Sequence, residues 1–116
     1  MNEEVKVYDL TMLREMDAED PGTLKHILQI FLESIPAILQ EFMLHFNEKD
    51  YFSLGNAAHK LKSSLELISM KDTAVLLKKI ELQSKSGQNL EEIPQMVHTV
   101  EQTLRTVFEQ LKQEMD

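Results

Sequence analysis

A chain of 116 residues with 42% hydrophobic side chains, three glycines and three prolines is long enough for one helical domain around one core, with no room for a separate catalytic lobe. The absence of cysteine excludes disulfides, thiol nucleophiles and thiolate metal sites. A formal charge of −8 argues against nucleic acid or membrane lipid as the main partner, because both require cationic surface.

Residues 1–8 read as a flexible acidic N-terminus that lacks the basic and apolar regions of a secretory signal. No apolar run approaches the roughly 20 residues needed to cross a bilayer, so the chain is expected to be soluble and cytoplasmic. Residues 9–116 are expected to form one helical domain. Asp9 can cap a short first helix carrying Leu10, Leu13 and Met16. Asp20-Pro21 then opens a long second helix, proline being tolerated in a first turn. Leu24, Ile27, Leu28, Phe31, Ile35, Ile38, Leu39, Phe42 and Phe46 mark one face of it as far as about Asn47. Pro36 falls inside that rhythm and is expected to bend the axis without ending it.

After the tight connection Asn47-Glu48-Lys49, Asp50 is the expected N-cap of the third helix. Ser69 with Asp72, and Asn89 with Glu92, fit capping boxes for the fourth and fifth helices, and Gly87 is placed to stop the fourth with a left-handed residue. Buried positions are predicted at Ala74, Leu77 and Ile80 on the fourth helix. On the fifth, Leu90, Ile93, Val97, Val100, Leu104, Val107, Leu111 and Met115 alternate steps of three and four. These elements make an all-α, up-down-up-down four-helix bundle with a short additional N-terminal helix.

The third helix is the informative one. With about 100° per residue, Leu54, Ala57, Ala58, Leu61, Leu65 and Ile68 fall within roughly 60° of one direction, whereas His59 lies near 140°. The imidazole therefore faces water. Its neighbours on that face are Gly55, Lys62, Ser63 and Glu66. The charge around it is also reversed, since six lysines against three acids leave residues 58–85 at +3 and the rest of the chain at −11. His26, His45 and His98 sit on other helices without an i, i+4 histidine partner and read as surface histidines, so no metal site is expected. There is no Gly-rich phosphate loop with which to bind ATP.

Around His59 the sequence resembles the histidine-containing phosphotransfer (HPt) domains of multistep two-component phosphorelays. Their motif is approximately A-H-x-L-K-G-S-[SA], and Ala58, His59, Leu61, Lys62 and Ser64 match it in place. The likeness extends over about residues 8 to 112 through Tyr8-Asp9-Leu10 with Leu13, through Phe31-Leu32-Glu33 followed by Pro36 and Leu39, and through Leu77, Ile80-Glu81 and Gly87. Two positions depart from the pattern. Ser63 stands where the family usually has glycine four residues after its histidine, and Ser69 stands where a glycine commonly follows the helix.

The resemblance implies that His59 is the phosphoacceptor. It would take a phosphoryl group on Nε2 from the aspartyl phosphate of one receiver domain, on a hybrid histidine kinase, and give it up to the receiver of a response regulator. Lys62 would place its ammonium against the phosphoryl oxygens. Ser63 is either a neutral replacement or a hydroxyl within reach of the phosphoryl group. Glu81 is either a solvent-facing glutamate or the acceptor of the other ring N–H, which would select the attacking tautomer. The lysines at 60, 78, 79 and 85 are read as contributing field alone. Phe52, Gly55, Lys62 and Glu66 are the expected docking residues for the receiver.

No cofactor is implied for this chain. Mg2+ is expected in the partner receiver, with the chain itself a monomer and a carrier in place of an ATP-dependent kinase. Two other readings fit the same residues. One is a non-phosphorylated helical scaffold that docks receivers. The other is a chemotaxis-kinase-type phosphoacceptor domain, which the lack of a following ATP-binding domain disfavours.

Overall fold

The computed structural model describes residues 6–115. Among them there is no strand, and the order of elements is α1 (Thr11–Glu19), α2 (Thr23–Asn47), α3 (Tyr51–Glu66), α4 (Lys71–Ser86), a 3-10 turn (Leu90–Glu92) and α5 (Ile93–Glu114). Helices α2 to α5 pack in a ring, each against the next and α5 against α2, while α1 packs on α2. The helical bundle expected from the apolar periodicity is thus present.

The N-terminal lead differs from expectation. Residues 1–5 lie outside the described residues, but Tyr8 is buried and its hydroxyl donates to Glu114 Oε2 at 3.0 Å. Lys6 and Arg14 reach the same carboxylate at 3.4 and 3.1 Å. A ring with an apolar body and a polar tip is well placed in such a position, so the end of the lead is clasped to the end of α5. Leu10, not Asp9, is the N-cap of α1; Asp9 lies just before it, its Oδ1 accepting from the backbone N–H and the hydroxyl of Thr11. Its own N–H donates to the carbonyl of Ile68 at 2.8 Å. Of the three residues assigned to the first helix, Leu13 is buried, Leu10 is buried just ahead of it and Met16 is exposed.

Pro21 does not open α2. Gly22 takes a left-handed φ of 98° there, and Asp17 Oδ1 accepts from the N–H groups of Gly22 and Leu24, so the cap comes from the end of α1. The helix then runs through Pro36 to Asn47 and buries Leu28, Phe31, Ile35, Leu39 and Phe42. Ile30 and Leu44 leave it on the outside. Apolar residues on both faces raise its mean hydropathy to 1.4 over an 18-residue window. By length and composition α2 could therefore cross a membrane, contrary to the reading that no segment could. Within the fold its buried face packs against α3 and α5.

Both predicted capping boxes are absent. Ser69 and Asn89 have φ of 55° and 54°, left-handed values, whereas an N-cap side chain works from β-region backbone. Ser69 belongs instead to the exit of α3. Met70 N–H bonds the Leu65 carbonyl and Ser69 N–H bonds the Glu66 carbonyl, which is the Schellman pattern with Ser69 in the left-handed position. The apolar contact of that motif is supplied by Leu65 and Met70, both fully buried. Glu92, the other half of the second box, accepts from Gln83 Nε2 at 2.7 Å. Gly87, with φ 73°, ends α4 as expected.

The stripe predicted on α3 is the inner face of the bundle, with Leu54, Ala57, Ala58, Leu61, Leu65 and Ile68 each at most 1% exposed. On α4 the buried line is Thr73, Leu77, Ile80 and Ser84. Ala74 lies beside it and is half-buried, one position round from the expected face. On α5 Ile93, Val97, Val100, Leu104, Val107 and Leu111 are buried as the seam requires.

Candidate functional site

Asp50 fixes the start of α3 by accepting from Ser53 N–H at 3.2 Å, and the buried alanines let the helix sit close to its neighbours. The imidazole of His59 is then carried on the outer face, 56% exposed. Its Nδ1 lies 3.2 Å from Glu81 Oε2 and 3.4 Å from Oε1. At 7% exposed, Glu81 is not solvent-facing.

Glu81 is anchored on α4 by two more cations, Lys85 at 3.4 Å and Lys78 at 3.6 Å. Burial pushes its carboxyl up, but the hydrogen bonds from His59 and Lys85 and the charge of Lys78 together hold it below its ordinary value. An ionised carboxylate only accepts. The proton of a neutral imidazole is therefore held on Nδ1, and the lone pair is left on Nε2, the nucleophilic atom.

Lys62 and Glu66 pair with each other at 3.0 Å, one turn towards the C-terminus of α3. Ser63 is exposed on the same helix. The recess beside His59 lies the other way. It encloses about 450 Å³ and is lined by Glu41 and His45 from α2, Ser53, Asn56, His59 and Lys60 from α3, and Glu81 and Lys85 from α4. Helical side chains lean towards the N-terminus, so His59 covers the turn before it rather than the turn carrying Lys62, Ser63 and Glu66.

Gly55 is corrected outright as a docking residue. It is buried, and a Cβ there would stand 3.1 Å from Lys85 Cγ and 3.4 Å from the Glu81 carbonyl oxygen. Its role is to let α4 close on α3, which sets the reach from Glu81 to His59. Phe52 does face solvent, at 70% exposed, two turns before His59 on the same side of α3. Among the lysines read as field alone, Lys60 is paired with Glu41 at 3.5 Å, and Lys78 and Lys85 hold Glu81.

His45 is also not a surface histidine. Its side chain is 20% exposed and its Nδ1 is buried without a hydrogen-bond partner in the protein. His45 reads from the sequence as a surface histidine, and Glu41 belongs to no motif. Their i, i+4 spacing on either side of buried Phe42 was the available signal. His26 and His98 are exposed. Among the described residues, no three His, Asp or Glu side chains are arranged to hold a metal ion.

The larger cavity, about 820 Å³, lies between α2 and α5 and is lined mainly by apolar residues such as Ile35, Leu39, Met43 and Phe108. It shares no lining residue with the recess at His59.

Comparison with known families decides what this arrangement belongs to. A family model described as Hpt domain matches residues 26–115, a span that contains His59, Glu81 and the whole recess. The chain belongs to the Hpt domain family. Searches of curated proteins and of solved structures give no significant match. Hpt domains carry out histidine phosphotransfer in two-component phosphorelays, interact with receiver domains and are phosphocarriers rather than autonomous kinases. Within the span matched to this Hpt domain, His59 is exposed and its partner on the next helix is Glu81.

Proposed function

We propose that this Hpt domain is a relay carrier that accepts a phosphoryl group on His59 Nε2 from the aspartyl phosphate of a hybrid kinase's receiver and passes it to the receiver of a response regulator. The observation that carries the reading is the contact of His59 Nδ1 with Glu81, because it leaves the lone pair on the other nitrogen of an exposed ring. In the transfer the P–O bond of the acyl phosphate breaks as the N–P bond forms, through a loose in-line transition state. The aspartate leaves as a carboxylate, and the proton on Nδ1 stays against Glu81. A neutral imidazole needs no general base, so a bundle of this size suffices, with Mg2+ held by the receiver.

Lys62 leaves Glu66 to meet the phosphoryl oxygens, where charge spreads in the transition state. Ser63 is small enough to admit the receiver's active site, and its hydroxyl is within reach of the same oxygens. Phe52 supplies the apolar part of the docking surface, with Lys62 and Glu66 on its polar rim. A relay contact has to release each partner, so the interface is small and short-lived. Short connections between consecutive helices run the bundle up-down-up-down, and the domain works as a cytoplasmic monomer.

Incubation with a phosphorylated receiver tests the proposal. It is expected to give an acid-labile, base-stable label that His59→Gln abolishes. Docking of the receiver without any label would favour the scaffold reading. A label supplied by an ATP-dependent kinase but not by a phospho-receiver would favour the chemotaxis-type domain.

A further inference from the structure

The recess on the N-terminal side of His59 contains a second imidazole for which phosphotransfer, as described, has no use. Glu41 and His45 approach it from α2 and Lys60 from α3. One oxygen faces both nitrogens: Glu41 Oε1 is 3.5 Å from Lys60 Nζ and 3.7 Å from His45 Nε2. Lys60 follows His59 in the chain, lines the same recess and has a side chain 58% exposed. It can turn between Glu41 and the space over the imidazole.

His45 is far less free. With Nδ1 buried and without a partner in the protein, a second proton on the ring would add a buried N–H without a protein acceptor. Once Lys60 leaves, the bare carboxylate favours the charged ring.

We propose that Lys60 is a second phosphoryl-contacting cation, held in reserve by Glu41, and that His45 takes up a proton from solvent when Lys60 moves to the phosphoryl group on His59. This rests on the phosphorelay reading above and extends it. A phosphoryl group brings about two negative charges near neutral pH, whereas Glu41 offers one, so phosphorylation draws the ammonium off the carboxylate. Glu41 then holds His45 in its charged form, and the recess gains one proton for the phosphoryl group it receives. Linkage is reciprocal: acidification stabilises the phosphorylated state relative to the free one.

The other charged groups around His45 do not replace Lys60. Glu81 and Lys85 of α4 are bound to each other, and His59 is bound to Glu81. Asp50, at the start of α3, is held below its ordinary value first by Ser53 and only weakly by His45.

The test is an NMR titration of all four histidine rings in the whole domain, before and after phosphorylation with phosphoramidate, with the phosphohistidine located by its own nitrogen shifts. The His45 midpoint is expected to rise by about half a pH unit or more on phosphorylation, roughly a threefold gain in proton affinity. In Lys60→Gln the midpoint is already raised in the free protein, and phosphorylation adds little. An unchanged His45 midpoint overturns the inference. So does an equal rise in Lys60→Gln, because the direct field of the phosphoryl group would then account for it. If no phosphohistidine forms on His59, the relay reading fails and takes this inference with it. A phosphohistidine beside an unmoved His45 removes this inference alone.

Discussion

His59 Nδ1 and Glu81 Oε2 face each other across the α3–α4 interface at 3.2 Å, so a residue 22 positions downstream selects which nitrogen of the proposed phosphoacceptor carries the lone pair. The contact is built from below. Gly55 lets the Lys85 stem and the Glu81 backbone come close, and Lys78 and Lys85 keep the carboxylate charged.

Glu81→Ala is expected to slow phosphotransfer by about tenfold, the lower end of what loss of an orienting partner costs at a histidine. Glu81→Gln, which retains an acceptor oxygen, should recover part of the rate. Single-turnover transfer from a phospho-receiver measures both, and the ring nitrogen shifts of His59 should report a mixed tautomer in the alanine variant.

Lys62→Ala should slow transfer while leaving the urea midpoint nearly unchanged. Its pairing with Glu66 is an i, i+4 contact on the outside of α3, and such pairs contribute less than about 1 kcal/mol. Equal transfer rates in variant and parent would remove the role assigned to its ammonium.

Leu61→Ala separates fold from chemistry. Leu61 is fully buried immediately before Lys62 in the chain, and its truncation should cost about 2–5 kcal/mol in equilibrium unfolding. Molecules that remain folded should still take the label on His59.

Ser69→Gly is expected to stabilise the domain by about 1 kcal/mol, since a non-glycine residue in the left-handed region carries a steric cost of that order and Ser69 has φ 55°. Chemical denaturation measures it. An unchanged midpoint would show that the serine is held there at no cost.

Acidification should weaken the fold through Glu81 and Glu114. Both carboxyls lie below their ordinary value of 4.5 in the folded chain, so their contribution is complete above that value and disappears as the pH falls through the lower, folded value. Glu114→Gln should flatten the pH dependence of stability in that acidic window and leave it unaltered near neutrality.

The orientation of His59 was legible because six apolar residues on α3 define one face, and a histidine about 140° away has nowhere to go but out. Glu81 was identifiable from the family pattern alone, because periodicity does not reveal that a glutamate beside Ile80 is buried under two lysines. The recess itself was not legible, because its walls come from three helices. Helix-wheel reasoning treats i−4 and i+4 as equivalent, whereas the backward tilt of the Cα–Cβ bond does not. The two capping boxes failed for another reason: the residue letters fit, but left-handed backbone at Ser69 and Asn89 keeps both side chains from capping the helix that follows. Gly55 shows the same limit, since only the neighbouring helix decides whether the flat side of a glycine faces a visitor or a wall.

The three-way clasp on Glu114 by Lys6, Tyr8 and Arg14 brings the beginning and the end of the described chain to one corner of the bundle. A circularly permuted gene, with those ends joined through a short spacer and new termini opened at the exposed Gln88-Asn89 turn, would preserve the five described helices and the pairing of His59 with Glu81 between them.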